Sequence, residues 1–184
     1  MCGRYFADEA VFSEIENLVG NTSVKMREQQ ARDVYPSQTA IVLTGRRPEL
    51  CAEEMCWGFS QYHQKGLIIN ARAETVLERK MFRDSVLHRR CIIPAGHFYE
   101  WDSDKNKAVF LRKDRPVLYM AGFYSHFEDG DRFIIITTQA NDSVSRVHDR
   151  MPLILEENEL PAEKKFPVQR HYRIRISGNF KQTR

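Results

Sequence analysis

Between residues 91 and 138 the chain runs through stretches too short, and too rich in β-branched and aromatic residues, to be helices. They cover residues 91–101 (CIIPAGHFYEW), 108–112, 117–123 and 132–138 (RFIIITT). Polar turns separate them, and residues 128–131 (EDGD) between the last two read as a hairpin turn. Strands joined by such short turns pair antiparallel, which commits this half of the chain to sheet.

The first half is mixed. Asp8 stands where a helix N-cap belongs, ahead of Ala10, Val11, Ile15 and Leu18 at helical spacing. Residues 2–6, 39–44 (TAIVLT) and 55–59 read as strands, and 67–70 is a short apolar run ending in Asn70. Residues 73–80 look helical, and Asn141 is placed to cap a short helix through His148 that Pro152 would stop. Strands dominate and helices are few and short. The prediction is an α+β fold on a mostly antiparallel, barrel-like β core.

Neither a repeat nor a flexible linker interrupts residues 1–160, which are expected to form one domain. Beyond Leu160 the periodicity dissolves. Residues 161–184 hold seven Lys or Arg against one Glu and read as a basic, mobile tail, with a short strand at 172–176 still allowed. The net charge of the whole chain is +3, so this surplus leaves the body slightly acidic. A nucleic-acid surface would have to be a local cluster.

No segment approaches the roughly 20 apolar residues that span a bilayer, so no membrane partner is expected. The start, MCGRYF, lacks a secretory signal. Cys2, Cys51, Cys56 and Cys91 are therefore expected as free thiols in a reducing cytoplasm. Cys51 and Cys56 have no second Cys/His pair at zinc spacing, and His97 and His126 are isolated, so neither metal nor other cofactor is expected. Phosphate-loop, dinucleotide and serine-hydrolase signatures are missing.

The most distinctive chemistry is at Cys2. If Met1 is removed, Cys2 presents a 1,2-aminothiol. Its amine, with a pKa of about 7.7–8.0, attacks an aldehyde to give an imine, and its thiol then closes a thiazolidine ring. The plainer reading is a small buried residue in the first strand. Glu100 lies among aromatics in Phe98-Tyr99-Glu100-Trp101, as a general acid/base with a raised pKa or as a strand residue facing solvent. His148 is a proton shuttle or an ordinary hydrogen-bonded histidine. Asn70 is a positioning amide or a helix cap.

Four separated segments stand in a fixed order: Met1-Cys2-Gly3-Arg4-Tyr5-Phe6, Ile69-Asn70-Ala71-Arg72-Ala73-Glu74-Thr75, Cys91 to Ala95 with Phe98 to Trp101, and His148-Asp149-Arg150-Met151-Pro152. With them, residues 1–160 resemble the SOS response-associated peptidase (SRAP) family, whose members shield abasic sites. The resemblance implies an SRAP-like fold and covalent capture of abasic sites in single-stranded DNA, with the protein acting as a monomer. Cys2, freed of Met1, would be the nucleophile. Asn70 would hold the N-terminal residue and the opened sugar, Glu100 would be the general acid/base, and His148 would assist proton transfer and reversal. The family is also credited with autoproteolytic release of its leading residues.

By the same resemblance, Arg4, Arg72 and Arg150 would grip phosphates of a bent strand. Trp57 and Pro36 would support or wedge bases, and Phe82 would stack near the break in the duplex. Trp57 and Phe82 have a core alternative, and Pro36 a turn alternative. Two departures stand out. Trp57-Gly58 runs into Phe59-Ser-Gln-Tyr-His-Gln-Lys65 instead of an apolar loop with proline and tryptophan, and the basic tail replaces further structure, which bears on stability more than chemistry. Two other functions compete with capture: a cysteine-dependent peptidase acting on protein, and a non-catalytic reader of damaged DNA.

Overall fold

The computed structural model describes residues 2–19, 24–46, 49–61, 65–156, 159–160 and 180–183. The elements run β1 (Tyr5–Ala7), α1 (Glu9–Leu18), a 3-10 turn (Met26–Glu28), β2 (Arg32–Val34), β3 (Thr39–Arg46) and β4 (Glu49–Trp57). Next come β5 (Phe59–Ser60), β6 (Leu67–Ile68), β7 (Asn70–Arg72), α2 (Lys80–His88), β8 (Arg90–Ala95) and β9 (His97–Trp101). The last are β10 (Lys107–Arg112), β11 (Leu118–Phe127), β12 (Gly130–Gln139), β13 (Arg150–Pro152), β14 (Ile154–Leu155) and β15 (Phe180–Thr183).

The predicted β barrel is present. β12, β4, β3, β8 and β11 pair in turn, and β11 returns to β12, so the sheet closes on itself. The β12–β4 seam is parallel, and the other four are antiparallel. Closure abolishes the edges that an open sheet would expose. It also crowds the interior: a Cβ at Gly122 would lie 2.5 Å from Ile93 Cδ1 and 2.6 Å from the Ile134 carbonyl oxygen. The core is filled by Leu43, Ile92, Ile93, Met120, Phe123, Phe133 and Ile134, each at most 1 % exposed.

A second sheet, in the order β15-β10-β9-β1-β2, leans on the barrel. The chain steps from β8 into β9 at Gly96, whose amide donates to the Phe6 carbonyl at 2.9 Å. On β9, Phe98 and Glu100 share one face by strand alternation, while His97, Tyr99 and Trp101 share the other. Phe98 is fully buried, so Glu100 is buried with it.

Helix α1 is capped as read: Asp8 accepts from the Val11 amide at 3.1 Å, and Val11, Phe12 and Ile15 pack inward. The second helix differs from expectation. Residues 73–78 form turns, with Thr75 N–H donating to Arg72 and Glu78 N–H to Thr75, and the helix begins at Lys80. The Ala73 amide is taken by the Thr137 carbonyl at 2.9 Å, so β12 diverts this backbone from a helical ladder. Asn141 does cap a turn, accepting from Ser143 and Val144, but residues 142–147 remain turns. The tail is tied near its end, where β15 pairs antiparallel with β10. The strand allowed at 172–176 lies outside the described residues.

Candidate functional site

The four reactive candidates converge where the second sheet meets the rim of the barrel. Strand β7 is short, and β12 fixes its place by parallel pairing of Asn70 with Ile135 and Arg72 with Thr137. Alternation turns Ala71 into the core at 3 % exposure and puts Asn70 and Arg72 on the opposite face. The preceding residue is anchored too, because the Trp57 indole N–H donates to the Ile69 carbonyl at 3.0 Å. Trp57 is itself fixed at the Trp57–Gly58 corner. There Gly58 has φ +110°, and a side chain would press on Leu67 at 3.1 Å.

Asn70 uses this rigidity. Its side-chain Nδ2 donates to the backbone carbonyl of Cys2 at 2.8 Å. Its Oδ1 is buried and meets no hydrogen-bond donor among the described residues. The amide therefore holds the N-terminal segment with one end and offers an acceptor with the other.

Cys2 is fully buried, and its thiol approaches the Arg4 carbonyl at 3.7 Å. Burial pushes this thiol far above its ordinary range, and the negative charge of Glu100 pushes it further. The group is a neutral thiol. Glu100 is 1 % exposed, and burial raises its carboxyl above the usual carboxylate range, with the charge of His148 acting against that rise. Glu100 thus couples electrostatically to Cys2 on one side and to His148 on the other, from a buried position where such interactions are strong.

His148 is oriented through its own loop. Its Nδ1 accepts from the Arg150 amide at 2.9 Å, and the same nitrogen lies 2.9 Å from Asp149 Oδ1. Both contacts cannot be hydrogen bonds to a neutral ring. A peptide N–H is always a donor, whereas the Asp149 side chain is 86 % exposed, so in a neutral ring the amide contact governs and Nε2 carries the proton. Protonation of Nδ1 would hand the contact to Asp149.

The arginines divide. Arg72 is exposed on the face of Asn70. The Arg4 guanidinium lies over the rings of Tyr35, Trp101 and Tyr99 at 4.6, 5.0 and 5.3 Å, with Asp33 at 3.6 Å. Asp33 also accepts from the Tyr99 hydroxyl at 2.8 Å. Arg150 spends both terminal nitrogens on Glu74, at 2.9 Å each, and also donates to the Thr137 carbonyl at 2.8 Å.

Two expected base contacts are corrected. Trp57 is fully buried between Tyr5 and Phe133, at centroid distances of 5.3 and 6.2 Å, and cannot support a base from there. Phe82 is 7 % exposed and packs on Phe123 and Phe59, at 5.4 and 6.3 Å, so it serves the core. Trp57 stacks nearly parallel on Phe133 and tilts against Tyr5, whereas Phe82 meets Phe59 and Phe123 at steep angles. Pro36 sits half-buried in the turn after β2, which the Gln38 amide closes onto the Tyr35 carbonyl at 3.1 Å.

Sequence reading missed the Arg4 cage and the partner of Arg150. Period-two alternation along β9 would have put Tyr99 and Trp101 on one face, although nothing local joins them to Arg4. Glu74 lies inside a quoted segment, but its partner is 76 residues away.

The family model for SOS response associated peptidase (SRAP) matches residues 1–163. Abasic site processing protein YoqW of Bacillus subtilis is 31 % identical over 179 residues, covering 86 % of this chain and 78 % of that protein. Abasic site processing protein YedK of Escherichia coli is 34 % identical over 131 residues, covering 67 % and 59 %. Among solved structures, a protein from Bacteroides thetaiotaomicron superposes with a TM-score of 0.71 at 23 % identity, over 86 % of this chain and 78 % of that one. One from Bordetella bronchiseptica gives 0.68 at 23 %, over 85 % of each. These two support the closed-barrel fold. On the family match and the YoqW similarity, the chain belongs to the SOS response associated peptidase (SRAP) family.

Proposed function

We propose that this protein processes abasic sites in single-stranded DNA by covalent capture, with Cys2 as the capturing residue once Met1 is removed. The observation that carries the reading is the 2.8 Å bond from Asn70 to the Cys2 carbonyl, beside a buried Glu100. It immobilises the N-terminal residue where an acid of raised pKa stands ready. The names of YoqW and YedK as abasic site processing proteins support abasic sites as the substrate.

The chemistry follows from protonation. Because the thiol is neutral, the α-amine of Cys2 adds first to the aldehyde carbon of the opened sugar. Protonated Glu100 gives its proton to the carbinolamine hydroxyl, which leaves as water, and the resulting carboxylate takes the nitrogen's proton back as the imine forms. The Cys2 sulfur then adds to the imine carbon, its proton passes to the nitrogen with His148 as the relay, and a thiazolidine closes. Aldehyde and aminothiol have combined with loss of one water. The buried Asn70 Oδ1 is an acceptor for a sugar hydroxyl. The same Cys2, Glu100 and His148 would serve the autopeptidase activity, which removes residues ahead of Cys2 and exposes its amine.

Intact mass of the untagged protein, before and after mixing with single-stranded DNA bearing one abasic site, tests this. Protein without Met1, plus the DNA, less one water, is the expected mass. Persistence of the unmodified protein after loss of Met1 would count against capture. Peptide cleavage without DNA would favour the peptidase reading instead.

A further inference from the structure

We propose that Glu74 is a positioning residue for the reaction at Cys2, holding through Arg150 the two segments that carry Asn70 and His148. The inference rests on the capture reading above for its chemistry, but its geometry is independent of that reading.

Glu74 follows β7 by two residues and Asn70 by four. Arg150 opens β13, two residues after His148. β7 and β13 do not pair with each other, yet both pair with β12, and both at Thr137: Arg72 lies opposite Thr137 on one side and Pro152 on the other. The Thr137 carbonyl accepts from the Ala73 amide at 2.9 Å and from Arg150 at 2.8 Å. Across this node the Arg150 guanidinium meets Glu74 as a two-pronged fork, both bonds at 2.9 Å. Such a pair fixes orientation as well as distance.

The other end of Arg150 completes the link. Its backbone N–H holds His148 Nδ1 at 2.9 Å, so the placement of Arg150 sets both the ring and its tautomer. The route is continuous: Cys2 carbonyl, Asn70, β7, Glu74, Arg150, His148. Arg150 is only 14 % exposed in its side chain, and both terminal nitrogens of its guanidinium are taken by groups of this chain, while its buried Nε meets no acceptor among the described residues. The Glu74 carboxyl is held below its usual range, chiefly by the hydrogen bonds from Arg150, which agrees with a standing pair. The resemblance would instead give Arg150 to DNA phosphate. A phosphate would have to displace Glu74 to reach it.

Three proteins decide the matter: wild type, Glu74→Gln and Arg150→Lys. Glu74→Gln keeps the shape and removes the charge, and Arg150→Lys keeps the charge and removes the fork. Each is measured for affinity to intact single-stranded DNA, for adduct rate with abasic DNA, and for the ring nitrogen and proton signals of His148 in the free protein. The expected result is adduct formation slowed by roughly 10- to 100-fold, the scale of about a 1 Å misplacement, with affinity nearly unchanged. The His148 ring signals shift in both variants without DNA present. Tighter DNA binding by Glu74→Gln with an undiminished rate would overturn the proposal, because Glu74 would then be the occupant of a phosphate site. Unmoved His148 signals in both variants would also overturn it. Shifted signals alongside a wild type that forms no adduct would sink the capture reading and leave the Glu74 link standing.

Discussion

The Asn70 side chain donates to the Cys2 carbonyl at 2.8 Å across 68 residues of sequence, and this one bond ties the N-terminal segment to the barrel rim. β1 begins only at Tyr5, and just ahead of it the Arg4 carbonyl accepts from the Tyr99 amide of β9 at 3.0 Å. Side-chain contacts add to that backbone bond: Asn70 on Cys2, and the aromatic cage with Asp33 on Arg4. A residue that must meet a substrate with its own amine cannot be locked by that amine. Holding it by its carbonyl leaves the nitrogen for chemistry.

Replacing Asn70 with Asp tests this. The carboxylate has the same shape but cannot donate, so it faces the Cys2 carbonyl oxygen with like charge. Losing a buried hydrogen bond costs about 1–3 kcal/mol, which is roughly 5- to 150-fold in rate if it falls on the productive geometry. Timed quenching of adduct formation, at a temperature where the variant is still folded, should show a loss of that size in Asn70→Asp, together with a lower melting temperature from the unpaired carbonyl and the buried carboxylate. An unchanged rate would show that the bond does not matter to the reaction.

Trp57 predicts a different pattern. It donates to Ile69, next to Asn70, from a fully buried position. Trp57→Phe should lower stability in urea by about 1–3 kcal/mol, through smaller volume and a lost donor. Affinity for undamaged single-stranded DNA should stay as it was, because no face of the ring reaches solvent. A selective fall in DNA affinity with full stability would restore the base-support role.

Much of this was legible in the sequence, and what was not has a physical reason. The strands after residue 90 are written in β-branched and aromatic runs, and Asp8 announces α1 by its own side chain. Residues 73–78 were misread because their local preference is helical while Thr137, far along the chain, claims the Ala73 amide. The burial of Trp57 and Phe82 depends on which strands become neighbours, and no local pattern contains that. Cys2, Asn70, Glu100 and His148 each carry a plainer reading beside the reactive one, and only the motif order joins them into one site. Their meeting depends on β12 receiving β7 and β13, and on β9 turning Glu100 inward beside Phe98.

Barrel closure predicts intolerance at Gly122. A methyl there would come within 2.5 Å of Ile93 Cδ1 and 2.6 Å of the Ile134 carbonyl, between two strands that cannot separate without opening the barrel. Gly122→Ala should destabilise by about 1–3 kcal/mol although alanine suits a strand no worse than glycine. Chemical denaturation would reveal it as a lower midpoint with the slope unchanged. Wild-type stability in that variant would mean the barrel wall yields more readily than its contacts imply.

Glu100 carries the sharpest trade-off. Burial raises its carboxyl pKa above the unfolded value, so the folded state favours the protonated form. The native state therefore binds more protons than the unfolded one once pH exceeds the unfolded pKa. Glu100's favourable contribution is complete below that value and is lost as pH climbs through the folded pKa. Glu100→Gln, neutral at every pH, removes that loss. It should melt higher than wild type at neutral pH, and the gap should narrow as pH falls toward 4.5, the ordinary value for this carboxyl. The same substitution should slow adduct formation by roughly 10²- to 10⁴-fold, since glutamine has no proton to give. Melting curves from acid to neutral pH, run with the intact-mass assay, read both effects. A variant that is less stable at neutral pH would mean the carboxylate is stabilised where it lies, and the acid assigned to the reaction would have to be sought elsewhere.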